Sequence, residues 1–192
     1  MTGKCIISFD CESKWGMADN LSAIHDEMLT EENLKNIYQE LIGLLDTYNM
    51  PATFGFVSAL TMESKFFLAK WGDELRTSPN HSKWLKRFFD DVESNNLSGW
   101  FCPELLNIVT CSSTKHEICS HGFTHLAWKS AIPESLELET KGIQEWYEAN
   151  NIKPKTFIFP RNQVGSRYFL GRIKANAYRD QPKYISLSLI HI

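Results

Sequence analysis

The chain is short of the features that most quickly assign a protein. Its five cysteines (Cys5, Cys11, Cys102, Cys111, Cys119) are odd in number and scattered, with no Cys-x-x-Cys pair. That argues against a disulfide framework and against a zinc knuckle, and it predicts reduced thiols. No apolar run approaches the roughly 20 residues a membrane-spanning helix needs. Positive charge is not in excess: 20 Lys+Arg against 23 Asp+Glu leave a formal net charge of −3, which offers no phosphate-binding face for nucleic acid. No charged segment followed by an apolar one opens the chain, and Met1 to Lys4 lead straight into a strand pattern. No signal peptide is therefore expected, and a cytoplasmic location is. Internal repeats and domain linkers are absent too. What remains is 192 residues, 43% hydrophobic and 22% charged, the composition of one globular domain with a sizeable core.

Apolar runs and helical periodicities alternate along the chain. Cys5 to Phe9 reads as a short buried strand. Residues 13–29 read as a long polar connection containing Trp15, Gly16 and Met17. Such a loop after a strand end often lines a site. Thr30 is a plausible N-cap, followed by Glu31 and Glu32 where the helix dipole favours them. Leu34, Ile37, Leu41, Leu44, Leu45 and Tyr48 mark an apolar helical face that Asn49 and Pro51 end. Ala52 to Val57 is a second strand, completing a β-α-β unit whose strands should be parallel.

Amphipathic pieces follow at Met62 to Trp71 and Lys83 to Val92, with Thr77-Ser78-Pro79-Asn80 as a loop between them. Aromatics are dense here: Phe66, Phe67, Trp71, Trp84, Phe88, Phe89, Trp100 and Phe101. Core packing is their simplest role; a binding wall is the alternative. Pro103 starts a short helix through Leu105, Leu106 and Val109. His116 to Ser120 is a third strand. Pro133 opens a helix with Leu136, Ile143, Trp146 and Tyr147 inward, and Thr156 to Phe159 is a fourth strand. Residues 166–175 fit a last helix, and Tyr178 begins another extended piece. This alternation predicts an α/β fold with a mainly parallel sheet in a single domain over residues 1–186. Residues 187–192, Leu-Ser-Leu-Ile-His-Ile, follow no turn signal and resemble a translated sequencing-adapter tail. On that reading the native chain continues beyond about Ile185 and His191 carries no information. The other reading is a short terminal strand.

Two strand ends carry chemistry. The segment HEICSHGFTH places His121 and His125 four residues apart just after a strand, and imidazole is the commonest metal-ligand side chain. A zincin helix is excluded, because the histidine after His116-Glu117 comes five residues on, not four. His116 reads as a structural strand residue. His25 and His81 fall in polar loops with no role. A third ligand is available at the end of the first strand, where Asp10 and Glu12 stand on either side of Cys11. In an α/β sheet ligands gather at the carboxyl ends of parallel strands, so these ends and Phe159-Pro160-Arg161 should meet.

At these positions the chain resembles the polysaccharide deacetylase family (NodB homology, carbohydrate esterase family 4). Ser8-Phe9-Asp10-Cys11-Glu12 is similar to its first motif, Thr-Phe-Asp-Asp. His121-Gly-Phe-Thr-His125 is similar to its second, His-Ser/Thr-x-x-His. Arg161 to Gly165 stands where the third, Arg-x-Pro-x-Gly, would be, and Pro51 to Phe56 resembles the strand after the first helix. The similarity covers residues 4–180. It implies a distorted (β/α) barrel of about seven mainly parallel strands, incomplete here at its C-terminal end. The implied activity is metal-dependent removal of the N-acetyl group from an N-acetylated sugar or polysaccharide, at a carbon–nitrogen bond outside peptides. In that case the aromatic-rich segment would offer a wall for a sugar ring. A catalytically inactive carbohydrate-binding domain, or a hydrolase of other amides on the same barrel, are the alternatives.

The resemblance assigns Asp10 as the catalytic base and Arg161 as the partner that orients it and depresses its pKa. Glu12, His121 and His125 become ligands of a divalent metal, Zn²⁺ by preference, with open positions for water and substrate. In the common motif the second ligand position directly follows the base, and here that residue is Cys11. Some relatives read Asp-x-Glu or Asp-x-Asp. Strand alternation puts Asp10 and Glu12 on one side and Cys11 on the other, which favours Glu12, with Cys11 as the alternative ligand. Ser120 and Thr124 are expected to hydrogen-bond locally and hold the imidazoles. The family's late histidine, a general acid, has no legible counterpart after Gly165.

Overall fold

The computed structural model describes residues 6–179. Cys5 and the 187–192 tail with His191 lie outside them. Five short strands form one curled, all-parallel sheet: β1 (Ser8–Cys11), β2 (Thr53–Phe56), β3 (Glu117–Ser120), β4 (Thr156–Ile158) and β5 (Ala177–Arg179). Their order in the sheet is their order in the chain. Right-handed crossovers between sequential parallel strands put every connecting helix on one face. A doubly wound sheet would instead reverse its order midway. The result is a half-barrel. Its curl brings the two edges together, because Arg179 of β5 reaches Ser8 of β1 at 3.1 Å and Asp10 at 2.5 Å. The expected strand at Cys5 to Phe9 starts at Ser8 and runs on to Cys11 instead.

Eight helices among the described residues connect the strands: α1 (Ala23–Met28), α2 (Glu31–Thr47), α3 (Ser64–Thr77), α4 (Pro79–Trp84), α5 (Lys86–Glu93), α6 (Glu104–Thr110), α7 (Pro133–Ala149) and α8 (Arg167–Arg172). None is long and apolar enough to cross a membrane. In α2 the N-cap is as expected, with Thr30 Oγ1 accepting from the Asn33 amide at 3.2 Å. The buried stripe, however, is Leu34, Tyr38, Ile42 and Leu45. Ile37, Leu44 and Tyr48 of the expected face are exposed. Tyr38 takes the inward position because its ring stacks on Phe54 and Phe56 of β2, centroids 6.4 and 6.1 Å apart. A buried aromatic contributes roughly 1.5–3 kcal/mol, enough to rotate a helix whose two candidate faces are both apolar. In α7 all four expected residues point inward, and Ser135, Glu139 and Thr140 are buried with them.

The expected polar connection after β1 is a packed element. A 3₁₀ turn, Ser13–Met17, is followed by α1. Trp15 is fully buried among Phe67, Phe88, Trp100 and Phe101, and its indole N–H donates to the Trp100 carbonyl. Lys14 is buried beside it with its Nζ 2.7 Å from Asp26. Asp26 also takes Arg87, Arg87 takes Asp91, and Asp91 accepts from the Trp100 indole. Burial raises the Asp26 pKa, but Lys14 and Arg87 outweigh it and hold the carboxyl below its ordinary value. A buried lysine is tolerated only where such a partner meets it. The remaining aromatics are core, apart from Phe66, which is exposed, and Trp84, which borders the site below. The expected loop at 77–80 shrinks to Ser78, since Pro79 already occupies the first turn of α4.

Candidate metal centre

β1 ends at Cys11, and Glu12 turns out of the strand into the Ser13–Met17 turn. Alternation leaves Asp10 inside the half-barrel and sends Cys11 into the core beside Tyr38. Burial pushes the Cys11 thiol well above its ordinary value. Cys11 Sγ is not among the ligand atoms that converge at this strand end. Gly16 lies directly over the Glu12 side chain. A Cβ there would come within 2.4 Å of the Glu12 carboxyl carbon, so the carboxylate has its place only because residue 16 has no side chain.

β3 delivers the histidines. His121 follows its last residue, and the chain turns through Gly122 (φ 92°) so that His125 (φ 62°) faces back. A Cβ at Gly122 would meet Pro160 at 2.8 Å. His125 itself is held in the left-handed region, a conformation that costs a non-glycine residue energy and persists where its surroundings enforce it.

Glu12, His121 and His125 converge. His125 Nε2 lies 2.9 Å and His121 Nε2 3.2 Å from Glu12 Oε2, and the two ring nitrogens are 3.1 Å apart. All three residues are buried. His121 Nδ1 stands 3.0 Å from the Ile158 carbonyl oxygen. That oxygen can only accept, so Nδ1 carries the proton and the Nε2 lone pair faces the other two ligand atoms. Burial holds the His125 imidazole below its ordinary pKa. Glu12 pulls the other way, and the neighbouring His121 adds to the lowering. A neutral imidazole is the form that ligates. His125 Nδ1 has no hydrogen-bond partner among the described residues, so its Nε2 is free either to donate to Glu12 or to ligate a cation. Ligand atoms around a tetrahedral Zn²⁺, at about 2.0–2.1 Å from the metal, stand roughly 3.3 Å apart. The residues fit a divalent metal in donor type and spacing, and His121 stands in the ligating tautomer.

Asp10 lies against this cluster, Oδ2 3.7 Å from His121 Nε2. Its arginine partner is Arg179, at 2.5 Å, and not Arg161. Arg161 follows Pro160 with φ 55°, which swings its side chain outward. It stacks 4.4 Å over the Trp84 ring and pairs with Asp19 at 2.6 Å. Arg179 also holds Asn162 Oδ1 at 3.1 Å. Asp10 Oδ1 has no hydrogen-bond partner among the described residues.

Ser120 bonds locally as expected, but neither Ser120 nor Thr124 bonds an imidazole directly. Ser120 Oγ bonds Ser58 and the Gly122 carbonyl, and Thr124 Oγ1 bonds Glu139. The Ile158 carbonyl does the orienting instead. His81 is fully buried in α4 and not in a polar loop, and His25 closes the capping box of α1 with Ser22. Trp84, 6.1 Å between ring centroids from His125, forms one side of the site. Its N–H donates to the Thr124 carbonyl at 2.8 Å. The chain matches no protein-family model and no curated protein.

Proposed function

We propose that the protein is a metal-dependent hydrolase of the polysaccharide deacetylase type, acting on the N-acetyl group of an N-acetylated sugar. The five strands described would then belong to a NodB-type barrel of about seven. One observation carries the reading: a buried Glu12-His121-His125 cluster at the carboxyl ends of β1 and β3, with a second carboxylate, Asp10, 3.7 Å away. The two sequence motifs that resemble the family contribute all four of these residues.

A divalent cation such as Zn²⁺, when bound by Glu12 Oε2 and the two Nε2 atoms, would polarise an amide carbonyl and acidify water. The chain's own residues supply the rest. Arg179 occupies Asp10 Oδ2, leaving Oδ1 to accept the proton of the attacking water. The Ile158 carbonyl keeps the His121 ring in the ligating tautomer. Burial of Glu12, His121 and His125 excludes bulk water from the ligand side. Trp84 and the Arg161 guanidinium stacked on it form a flat flank against which a sugar ring would lie.

The test measures zinc content and acetate release from N-acetylglucosamine oligomers, in wild type and four variants. His121→Ala and Glu12→Gln should lose stoichiometric metal, because too few donors remain. Asp10→Asn should keep metal while turnover falls by roughly 10²–10⁴-fold. Cys11→Ser should change neither. Wild type without metal-dependent acetate release would refute the activity. Loss of metal in Cys11→Ser, with Glu12→Gln intact, would reassign the third ligand to the cysteine.

A further inference from the structure

Against the histidine loop lies a carboxylate with no part in the proposed reaction. Glu139 sits in the middle of α7 and is 0% exposed. Both of its oxygens are aimed at the loop. Oε2 accepts the Phe123 amide N–H at 2.9 Å. Oε1 accepts the Thr124 amide at 3.0 Å, the Thr124 hydroxyl at 2.6 Å and His81 Nε2 at 3.1 Å. Four donors on two oxygens call for a carboxylate, which has only acceptors to offer. His81 is oriented in turn, its Nδ1 2.8 Å from Ser78 Oγ, which is 3.0 Å from Ser135 Oγ.

These contacts fall on the residues between the two ligands. The segment 122–125 has positive φ at Gly122 and at His125. Its carbonyls at 122, 123 and 124 accept from the Ser58 amide, the Ala59 amide and the Trp84 indole. Its outward amides at 123 and 124 would be buried without partners if Glu139 were missing. A loop bent against its own preference must be over-determined by its surroundings, and here Glu139 is the group that holds its amides at 123 and 124. Helix packing alone does not explain it. Burying a carboxylate is costly unless every lone pair is used, and an apolar residue would fill the same space at lower cost.

We infer that Glu139 is a positioning residue for the metal centre, acting with His81 to hold the 122–125 loop so that His125 Nε2 meets Glu12 and His121. The inference rests on the metal reading above. It predicts that Glu139 governs how tightly and in what geometry a metal is held, although it lies outside the ligand set. Glu139→Gln is the sharp test. An amide places a donor where one oxygen stood, facing Phe123 N–H on one side or Thr124 N–H and His81 on the other. Thr124→Val is the mild one, since it removes only the hydroxyl and leaves the buried charge with its other partners.

The experiment uses zinc and cobalt as probes. Zinc affinity is measured by chelator competition, and the visible d–d spectrum is recorded on Co²⁺-loaded protein. Each protein is studied at a temperature where circular dichroism shows it folded. Glu139→Gln should bind zinc roughly 10–100-fold more weakly, as for other residues that orient ligands, and its cobalt spectrum should lose the tetrahedral intensity of wild type. Thr124→Val should lose several-fold, in the same direction. If Glu139→Gln does not fold, the Thr124→Val result decides. Unchanged affinity and an unchanged cobalt spectrum in the folded variants would overturn the positioning role and leave the metal centre standing. Failure of wild type to take up zinc or cobalt would overturn both.

Discussion

Arg179 Nη2 and Asp10 Oδ2 lie 2.5 Å apart, joining residues 169 positions apart in sequence and opposite edges of the sheet. The bond is charge-assisted, and Asp10 is buried, so it is of the stronger kind. It ties the curl of the sheet to the candidate base, and the same guanidinium reaches Ser8 and Asn162. Closing the sheet and orienting the carboxylate are one interaction.

A pair of arginine substitutions separates this arrangement from the one that the third motif suggests. Arg179→Met should leave zinc content intact and lower the proposed deacetylation by roughly 10-fold or more, equivalent to about 1.4 kcal/mol of transition-state stabilisation. Arg161→Met removes an exposed ion pair to Asp19 and a stacking contact with Trp84. Its effect should fall mainly on KM for oligomers. If Arg161→Met lowered kcat more than Arg179→Met, the orienting role would belong to Arg161.

Gly16 should be intolerant of even one methyl group. A Cβ there would stand 2.4 Å from the Glu12 carboxyl carbon, so Gly16→Ala must displace that carboxylate. Zinc affinity should drop by roughly 10-fold or more, the range seen when a ligand is misplaced. Gly43→Ala serves as the control, because nothing lies within 4 Å of a Cβ there. In the interior of α2 it should raise stability by up to about 1 kcal/mol and leave zinc binding alone. Equal zinc affinity in Gly16→Ala and wild type would show that Glu12 has another place to sit.

Acid stability should depend on Asp46 near the end of α2. Its carboxylate accepts the Ser112 hydroxyl and the Thr114 and Ser113 amides. These bonds, the Ser112 hydroxyl foremost, hold its pKa well below the ordinary 3.8. The folded value is lower than the unfolded one, so the stabilisation is fully present above the unfolded value and fades as pH falls below it. The Tm difference between wild type and Asp46→Asn should therefore be largest at neutral pH and shrink between about pH 4 and pH 2. Thermal melts across that range measure it, and a difference independent of pH would assign the effect to shape instead of charge.

Much of the architecture was legible in the chain because its signals are local. Hydrophobic runs that switch period between strand and helix mark an α/β protein with parallel strands, and the sheet is all parallel. The ligand cluster was legible for a similar reason. His121 and His125 share one loop, and Asp10 and Glu12 lie two apart at one strand end. The face of α2 was not legible, since Ile37 and Tyr38 are both apolar enough to be buried and only the β2 rings choose between them. Lys14 and Trp15 read as part of a polar connection because the partners that bury them, Asp26 and Trp100, lie in other elements.

The amino-acid order alone thus determined the kind of sheet, which strand ends carry clustered carboxylate and imidazole side chains, and the donor atoms that meet there. Which arginine serves Asp10, and which glutamate supports the histidine loop, only the tertiary structure decided. Arg161 has the motif position but leaves the site through a positive-φ turn, whereas Arg179 arrives across the curl of the sheet. Glu139 follows Glu134 and Glu137 on the same helix, both exposed, and no local pattern sets it apart. Periodicity and strand-end chemistry are written in neighbouring residues. The partner of a buried charge is set by where the crossovers place distant residues, because an ion withdrawn from water is stable only beside the group the fold brings to it.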